Sequence, residues 1–227
     1  MIVDMWMTHD PFSIDPTTSV SEAALLMAHR HVRRLLVVDR RHGKARLIGI
    51  VSAADVARAF PPDLNPASAV VSEGAVPRPV TGIMAHNVRT IAAGAAIEEA
   101  ARVMRAHKIG ALPVMHGKRL AGIITESDIF RAFVEMSDAG ASGVRVTFDL
   151  DEDEDLTATM VDLCRVHQAR VLSILSFHHR DPHSGDRRRL GVVRLSGDVP
   201  SGLLDAISAS RHRVLAVVRE IPAAPGS

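Results

Sequence analysis

Cysteine, tyrosine and an excess of charge of either sign are what this chain of 227 residues has least of. Its one cysteine, Cys164, excludes an internal disulfide framework and any cysteine-rich zinc site. Tyrosine is absent and aromatic residues make up 3% of the chain, too few for a stacking platform that would hold single-stranded nucleic acid. With 27 Lys and Arg against 26 Asp and Glu, no overall field draws the protein to nucleic acid. No run approaches the roughly 18 apolar residues of a membrane span. The opening "MIVDMWMTHDPF" lacks the basic region and apolar core of a signal peptide. A reducing cytoplasm is therefore the expected setting. The H-E-x-x-H, P-loop and G-x-S-x-G patterns are missing as well. Cys164 falls on an amphipathic helical pattern, where a small buried residue is expected rather than a nucleophile. The expectation is a protein that is not an enzyme. A transcriptional regulator is an alternative, but no helix-turn-helix or basic recognition helix supports it.

What the chain does contain is a repeat. "GIVSAADV" from Gly49 returns as "GIITESDI" from Gly122. Upstream, a displacement of 77 residues lays Met7 over Met84, His9 over His86, Ile14 over Ile91, Glu22 over Glu99 and Met27 over Met104. The displacement shortens to 73 by the glycine motif, a slip that a turn absorbs at little cost. Each copy reads as a short extended segment (Ser13–Ile14; Thr90–Ile91), a helix (Val20–His29; Ala96–Ala106), a strand ("RLLVVD"; "ALPVM"), a turn at Gly43 or Gly117, and a second strand ("RLIGIV"; "RLAGII"). A last helix follows, ending near Phe60 or Phe133. Val20, Ala24, Met27 and Ala28 are expected on one helical face, and Ile97, Ala100, Ala101 and Met104 on the other copy's.

Ser52 and Thr125 stand where a strand turns into a helix, with Asp55 and Asp128 three residues on. Two readings stay open. Ser/Thr-x-x-Asp is a capping box that satisfies the helix's own N–H groups. It also suits a nucleotide, because spare N–H groups at a helix start meet phosphate and a carboxylate grips a ribose diol. Arg58 and Arg131, one turn later, either pair with those aspartates at i,i+3 or turn toward phosphate. The basic run "HRHVRR" (His29 to Arg34) is either solvated surface or a further source of cations.

These paired motifs resemble CBS domains, and two of them resemble a CBS pair, the Bateman module, over residues 1–136. The resemblance implies an α/β (α+β) pseudo-twofold pair, repeat one at 1–70 and repeat two at 78–136, with two clefts between them. It also implies that Asp128, Thr125, Asp55 and Ser52 hold ribose and phosphate. Ile14 and Ile91, together with Val32, Leu36 and Ile109, are candidates to flank an adenine. The family's basic residue before the motif aspartate is replaced by Ala54 and Ser127. The implied regulatory ligand is AMP, ADP or ATP, of which AMP and ADP make smaller demands on such a site. Asp128 is the first choice, because its copy has the family's commoner threonine and the more polar "GIITESD".

After a linker at 137–143, residues 144–220 alternate as βαββαβ, a ferredoxin-like order. They resemble an ACT domain. A CBS pair followed by such a domain is the arrangement of AcuB-like acetoin-utilisation proteins. The glycine that ACT domains use to approach an amino acid is replaced here by the acidic "FDLDEDEDL", whose "DEDED" run (Asp151–Asp155) is expected in solvent. "HHRDPHSGD" reads as a polar hairpin rather than a zinc site. The whole predicts a regulatory protein that binds adenine nucleotide in the CBS clefts, forms a homodimer through both modules and acts on an unknown protein partner. A constitutive dimeric scaffold without ligand is the alternative.

Overall fold

The two repeat copies fold into matching units because the same caps and apolar spacings recur in each. The computed structural model describes residues 1–41, 45–59, 78–136, 142–180, 185–197 and 199–220. The turn at Gly43, the end of the helix at Phe60 and residues 137–141 of the linker lie outside them. The chain divides into two compact units, Met1–Ala132 and Phe133–Ser227.

In the first copy, β2 (Ser13–Ile14) runs parallel to β3 (Arg34–Asp39), which pairs antiparallel with β4 (Arg46–Ser52). Helix α1 (Val20–Arg30) connects β2 to β3, and α2 (Ala53–Ala59) follows β4. The second copy repeats this with β5 (Ile91–Ala92), α3 (Ile97–His107), β6 (Ala111–His116), β7 (Arg119–Thr125) and α4 (Glu126–Met136). Ser19 starts α1 with a complete capping box, its hydroxyl accepting from the Glu22 amide while Glu22 accepts from the Ser19 amide. Ala96 stands at the same place before α3 and cannot cap. The buried face of α1 is Val20, Ala23 and Met27. Ala28, expected inward, is exposed because the stripe runs one position earlier. Helix α4 continues past Phe133 to Met136.

The copies also exchange their leading segments. Strand β1 (Thr8–His9) belongs to the first copy by sequence but pairs antiparallel with β7 of the second, Thr8 facing Ile123 and His9 facing Gly122. Ala85 bridges Ile50 in the reciprocal way. This exchange accounts for the glycine of the repeated motif. A Cβ on Gly122 would stand 2.6 Å from both Met7 Sδ and the Thr8 carbonyl, and one on Gly49 would meet Met84 Cγ at 2.9 Å and the Ala85 carbonyl at 3.2 Å. Each copy keeps its own apolar core, around Leu35, Val37 and Val51 or around Leu112, Val114 and Ile124. A smaller cluster of Leu36, Val38, Ala111 and Ile123 joins them.

The second unit, taken by itself, is a four-stranded antiparallel sheet in the order β11-β8-β10-β9, with β8 Gly143–Leu150, β9 Val171–Arg180, β10 Arg187–Ser196 and β11 Arg213–Glu220. Helices α5 (Leu156–Val166) and α6 (Ser201–Ser208) complete the ferredoxin-like βαββαβ order. They bury Met160, Cys164, Leu203 and Ile207 against Val146, Phe148, Val193 and Leu195 of the sheet. Gly143, read from sequence as linker, already pairs in β8 with Ser196 and Glu220. The acidic run does not stay wholly in solvent either. Glu154 turns inward until its side chain is 13% exposed, 3.3 Å from Nδ1 of the buried His212. Burial would raise the Glu154 carboxyl, but the Asp151 amide, His212 and Arg211 together hold it below the ordinary carboxylate range. Arg189 Nη1 donates to the carbonyls of Asp151, Glu152 and Glu154 and ties the run down. Asp155 caps α5 by accepting from the Ala158 amide.

Candidate functional site

The two strand-to-helix junctions are built alike. Ser52 Oγ accepts from the Asp55 amide at 3.2 Å, and Asp55 Oδ2 accepts from the Ser52 amide and hydroxyl at 2.8 and 2.5 Å. Thr125 and Asp128 repeat the arrangement, Oδ2 accepting at 2.9 and 2.7 Å. The capping reading is therefore realised in both copies, and it uses one carboxylate oxygen of each aspartate. The other oxygen, Oδ1, accepts from Arg58 in the first copy and from Arg131 in the second.

Those second oxygens differ in availability. Arg58 is 70% exposed and, among the described residues, held only by Asp55, so it can swing away. Arg131 is fastened twice, donating to Asp128 at 3.1 Å and to the Trp6 carbonyl at 2.8 Å, with its guanidinium 6.0 Å from the Trp6 ring centre. The side chain of Asp128 is 10% exposed, that of Asp55 21%.

Two clefts open between the copies. The first, about 430 Å³, is lined by Thr8, Asp10, Phe12, Val32, Arg33 and Arg34 of the first copy and by Ile123, Thr125, Glu126 and Ser127 of the second, with Ser52 and the start of α2. The second, about 580 Å³, gathers Ile50, Ser52, Asp55 and Arg58 with Asn87, Val88, Arg89, His107, Lys108 and Ile109. Arg34, Ser52 and Gly110 line both. The second cleft thus has a carboxylate, two apolar walls and a concentration of cations. The first has two cations set against the carboxylates of Asp10 and Glu126.

Of the residues singled out from sequence, Ser52, Asp55 and Arg58 come together in the second cleft and Thr125 lines the first. Asp128 and Arg131 line neither. Ile14 and Ile91 are 6% exposed and belong to the cores of their own copies, because β2 and β5 lie against β3 and β6 with those side chains turned inward. Val32 and Ile109, which precede β3 and β6, reach the clefts instead, whereas Leu36 is fully buried. Sequence reasoning passed over Phe12 and Arg89. They occupy equivalent places before β2 and β5, and the 77-residue displacement alone would have paired them. Their backbones differ for a simple reason. The Leu36 amide donates to the Phe12 carbonyl at 3.1 Å, but Pro113, the counterpart of Leu36, has no N–H to offer Arg89.

No helix among the described residues is long and apolar enough to cross a membrane, and no cluster of three or more His, Cys, Asp or Glu side chains there is arranged to hold a metal.

The family model for the CBS domain matches the chain twice, at residues 2–62 and 80–135. An uncharacterized protein of Methanocaldococcus jannaschii is 29% identical over 174 residues, covering 73% of this chain and 41% of its own length. The chain therefore spans about two fifths of that relative. Among solved structures, a putative acetoin utilization protein (AcuB) from Vibrio cholerae is 30% identical, covering 61% of this chain and 93% of that one with a TM-score of 0.49. CBSX2, solved in complex with AMP, is 27% identical and covers 60% and 98%, also with a TM-score of 0.49. The doubled family match falls on the two copies whose caps, exchanged segments and clefts are described above, and the chain belongs to the CBS-domain family.

Proposed function

We propose that the protein is a non-enzymatic sensor that binds an adenine nucleotide in the second cleft and thereby shifts an interaction with a protein partner. The observation that carries this reading is the convergence of Asp55, Arg58, Arg89 and Lys108 in one cavity beside Ile50 and Ile109. A carboxylate offers about four acceptor positions, and the cap uses only those on Oδ2. A ribose diol takes over Oδ1 from Arg58, and the released guanidinium turns with Arg89 and Lys108 to the phosphate. Ile50 and Ile109 supply the apolar walls for the base. The exchange keeps the helix capped while the ligand binds. Output follows from linkage, since nucleotide that prefers one arrangement of the pair raises its population.

The C-terminal ferredoxin-like unit is assigned an ACT-like role in assembly, and the protein is expected as a homodimer in the cytoplasm, where adenine nucleotides are abundant. A monomer mass in light scattering at micromolar concentration would count against the dimer.

Calorimetric titration of AMP, ADP and ATP into wild type, Asp55→Ala and Asp128→Ala tests the site. Losing two charge-assisted ribose hydrogen bonds is expected to weaken binding by roughly 10- to 1000-fold in Asp55→Ala. Asp128→Ala should retain binding in the second cleft. Thermal unfolding of each variant separates lost binding from lost structure. If wild type binds none of the three at millimolar concentration, the aspartates serve only as caps and the constitutive scaffold is the better account.

A further inference from the structure

We propose that Arg34 is the phosphate-selecting residue shared by the two clefts, and that Glu126 is a built-in carboxylate competitor for it. This rests on the nucleotide reading above and specifies how that site is regulated. Arg34 lines both cavities. Its counterpart in the second copy is Ala111, which is buried, so the pseudo-twofold arrangement places one guanidinium at the junction instead of two.

The bare backbone of Gly110 forms the floor beneath it. A methyl group there would stand 2.5 Å from Arg34 Nη2 and 2.8 Å from Glu126 Oε2. Cation and carboxylate therefore both border the space that a Gly110 side chain would fill, and the Glu126 amide donates to the Gly110 carbonyl at 3.3 Å, which fixes the start of α4 over the same spot. Arg34 is half-buried. Desolvation lowers its pKa from the ordinary guanidinium value, Arg33 lowers it further, and Glu126 pulls it back. It stays charged throughout the working range.

A phosphate entering the second cleft draws Arg34 toward itself and out of the field of Glu126. Once drawn, that guanidinium no longer offsets Glu126 in the first cleft, where a second phosphate would meet the carboxylates of Glu126 and Asp10 with Arg33 as its cation. Two bound nucleotides thus oppose each other, and they do so only through their phosphates. Adenosine escapes the competition altogether.

The test is titration of AMP and of adenosine into wild type, Glu126→Gln, Arg34→Met and the double variant, with thermal unfolding of each. Gln is close to isosteric with an exposed Glu, and Met preserves much of the Arg stem. Glu126→Gln is expected to tighten AMP by roughly 3- to 10-fold and to leave adenosine unchanged. Arg34→Met should weaken AMP by about 10-fold or more, again without effect on adenosine. In the double variant the Glu126→Gln gain should vanish. Should Arg34→Met unfold, Arg34→Lys replaces it, keeping charge while losing the planar fork. The inference is overturned if Glu126→Gln leaves AMP affinity unchanged, or if adenosine shifts as much as AMP. Wild type that binds AMP with no change in Glu126→Gln defeats this inference alone. Wild type that binds neither ligand defeats the nucleotide reading and this one together.

Discussion

The first and second repeat copies carry the same Ser/Thr-x-x-Asp junction, yet of the two aspartates Asp55 lines one of the two clefts described above and Asp128 lines neither. In the first copy Arg58 projects into solvent and Asp55 borders the second cleft. In the second copy the N-terminal turn of the chain has come across. Trp6 presents its carbonyl to Arg131, and Asp128 is shut in behind that contact. The lesson is that a duplicated motif need not give duplicated chemistry. One copy's helix start keeps its exposed arginine and its aspartate at a cleft, while the other is used to anchor the exchanged segment.

Four experiments test how unlike the two copies are. The largest effect on stability is expected at the motif glycines. Gly122→Val drives two added methyls and a Cβ into the Thr8 carbonyl, which is backbone held by the β1–β7 pairing and cannot step aside. Gly49→Val first meets the flexible Met84 side chain. Overpacking of this kind costs about 1–3 kcal/mol, with Gly122→Val at or above the upper end and Gly49→Val below it. Urea unfolding midpoints would rank them, and equal losses would refute the claim that the exchanged segment is held more rigidly in the second copy.

Next comes Asp128→Ala. It removes a cap and releases Arg131, for an expected loss of about 1–2 kcal/mol, whereas Asp55→Ala should lose nearer to 1 kcal/mol. Trp6 is the only tryptophan, so its fluorescence should change in Asp128→Ala and stay as in wild type in Asp55→Ala.

The third experiment uses the unequal helix starts. Ser19→Ala should cost about 1 kcal/mol. Ala96→Ser should gain a similar or smaller amount, because Glu99 already waits at the third helical position and Ala96 is exposed with extended backbone angles. Thermal unfolding reads both. No gain from Ala96→Ser would show that the second copy's start is held open by something other than the missing hydroxyl.

The smallest effect is one of pH. The Ser19 amide, and then its hydroxyl, hold the Glu22 carboxyl below its ordinary value of 4.5. A depressed carboxylate stabilises the fold above the unfolded-state pKa and loses that contribution as pH falls through the folded-state value. Glu22 is largely exposed, so the effect is screened. The stability gap between wild type and Ser19→Ala should therefore be constant near neutrality and narrow only as pH drops below about 4.5. A gap that widens in acid would have the sign wrong and would remove Glu22 from the account of the cap.

Much of the architecture was legible in the residues. The repeat, the alternation of strands and helices, the ends of β3 at Arg34 and Asp39, and the βαββαβ order of the last third all follow from apolar period and turn chemistry, which are local properties. The capping boxes were legible for the same reason, since four residues suffice to make one. Less legible was which apolar residue faces a cleft. Ile14 and Ile91 are as apolar as Val32 and Ile109, and only the packing of β2 and β5 on their neighbouring strands turns the first pair into core.

Two like copies, their helix starts and the set of charged groups near a cleft are thus written into the order of the residues. Tertiary structure alone decided how those groups are shared out. The exchange of Thr8 and Ala85 between copies, the burial of Asp128 behind Arg131 and Trp6, and the approach of both Arg34 and Glu126 to Gly110 join residues that are far apart along the chain. Local propensity carries no information about such contacts. They arise because the two copies bury a common apolar cluster of Leu36, Val38, Ala111 and Ile123, and that burial sets which polar ends of the copies come face to face.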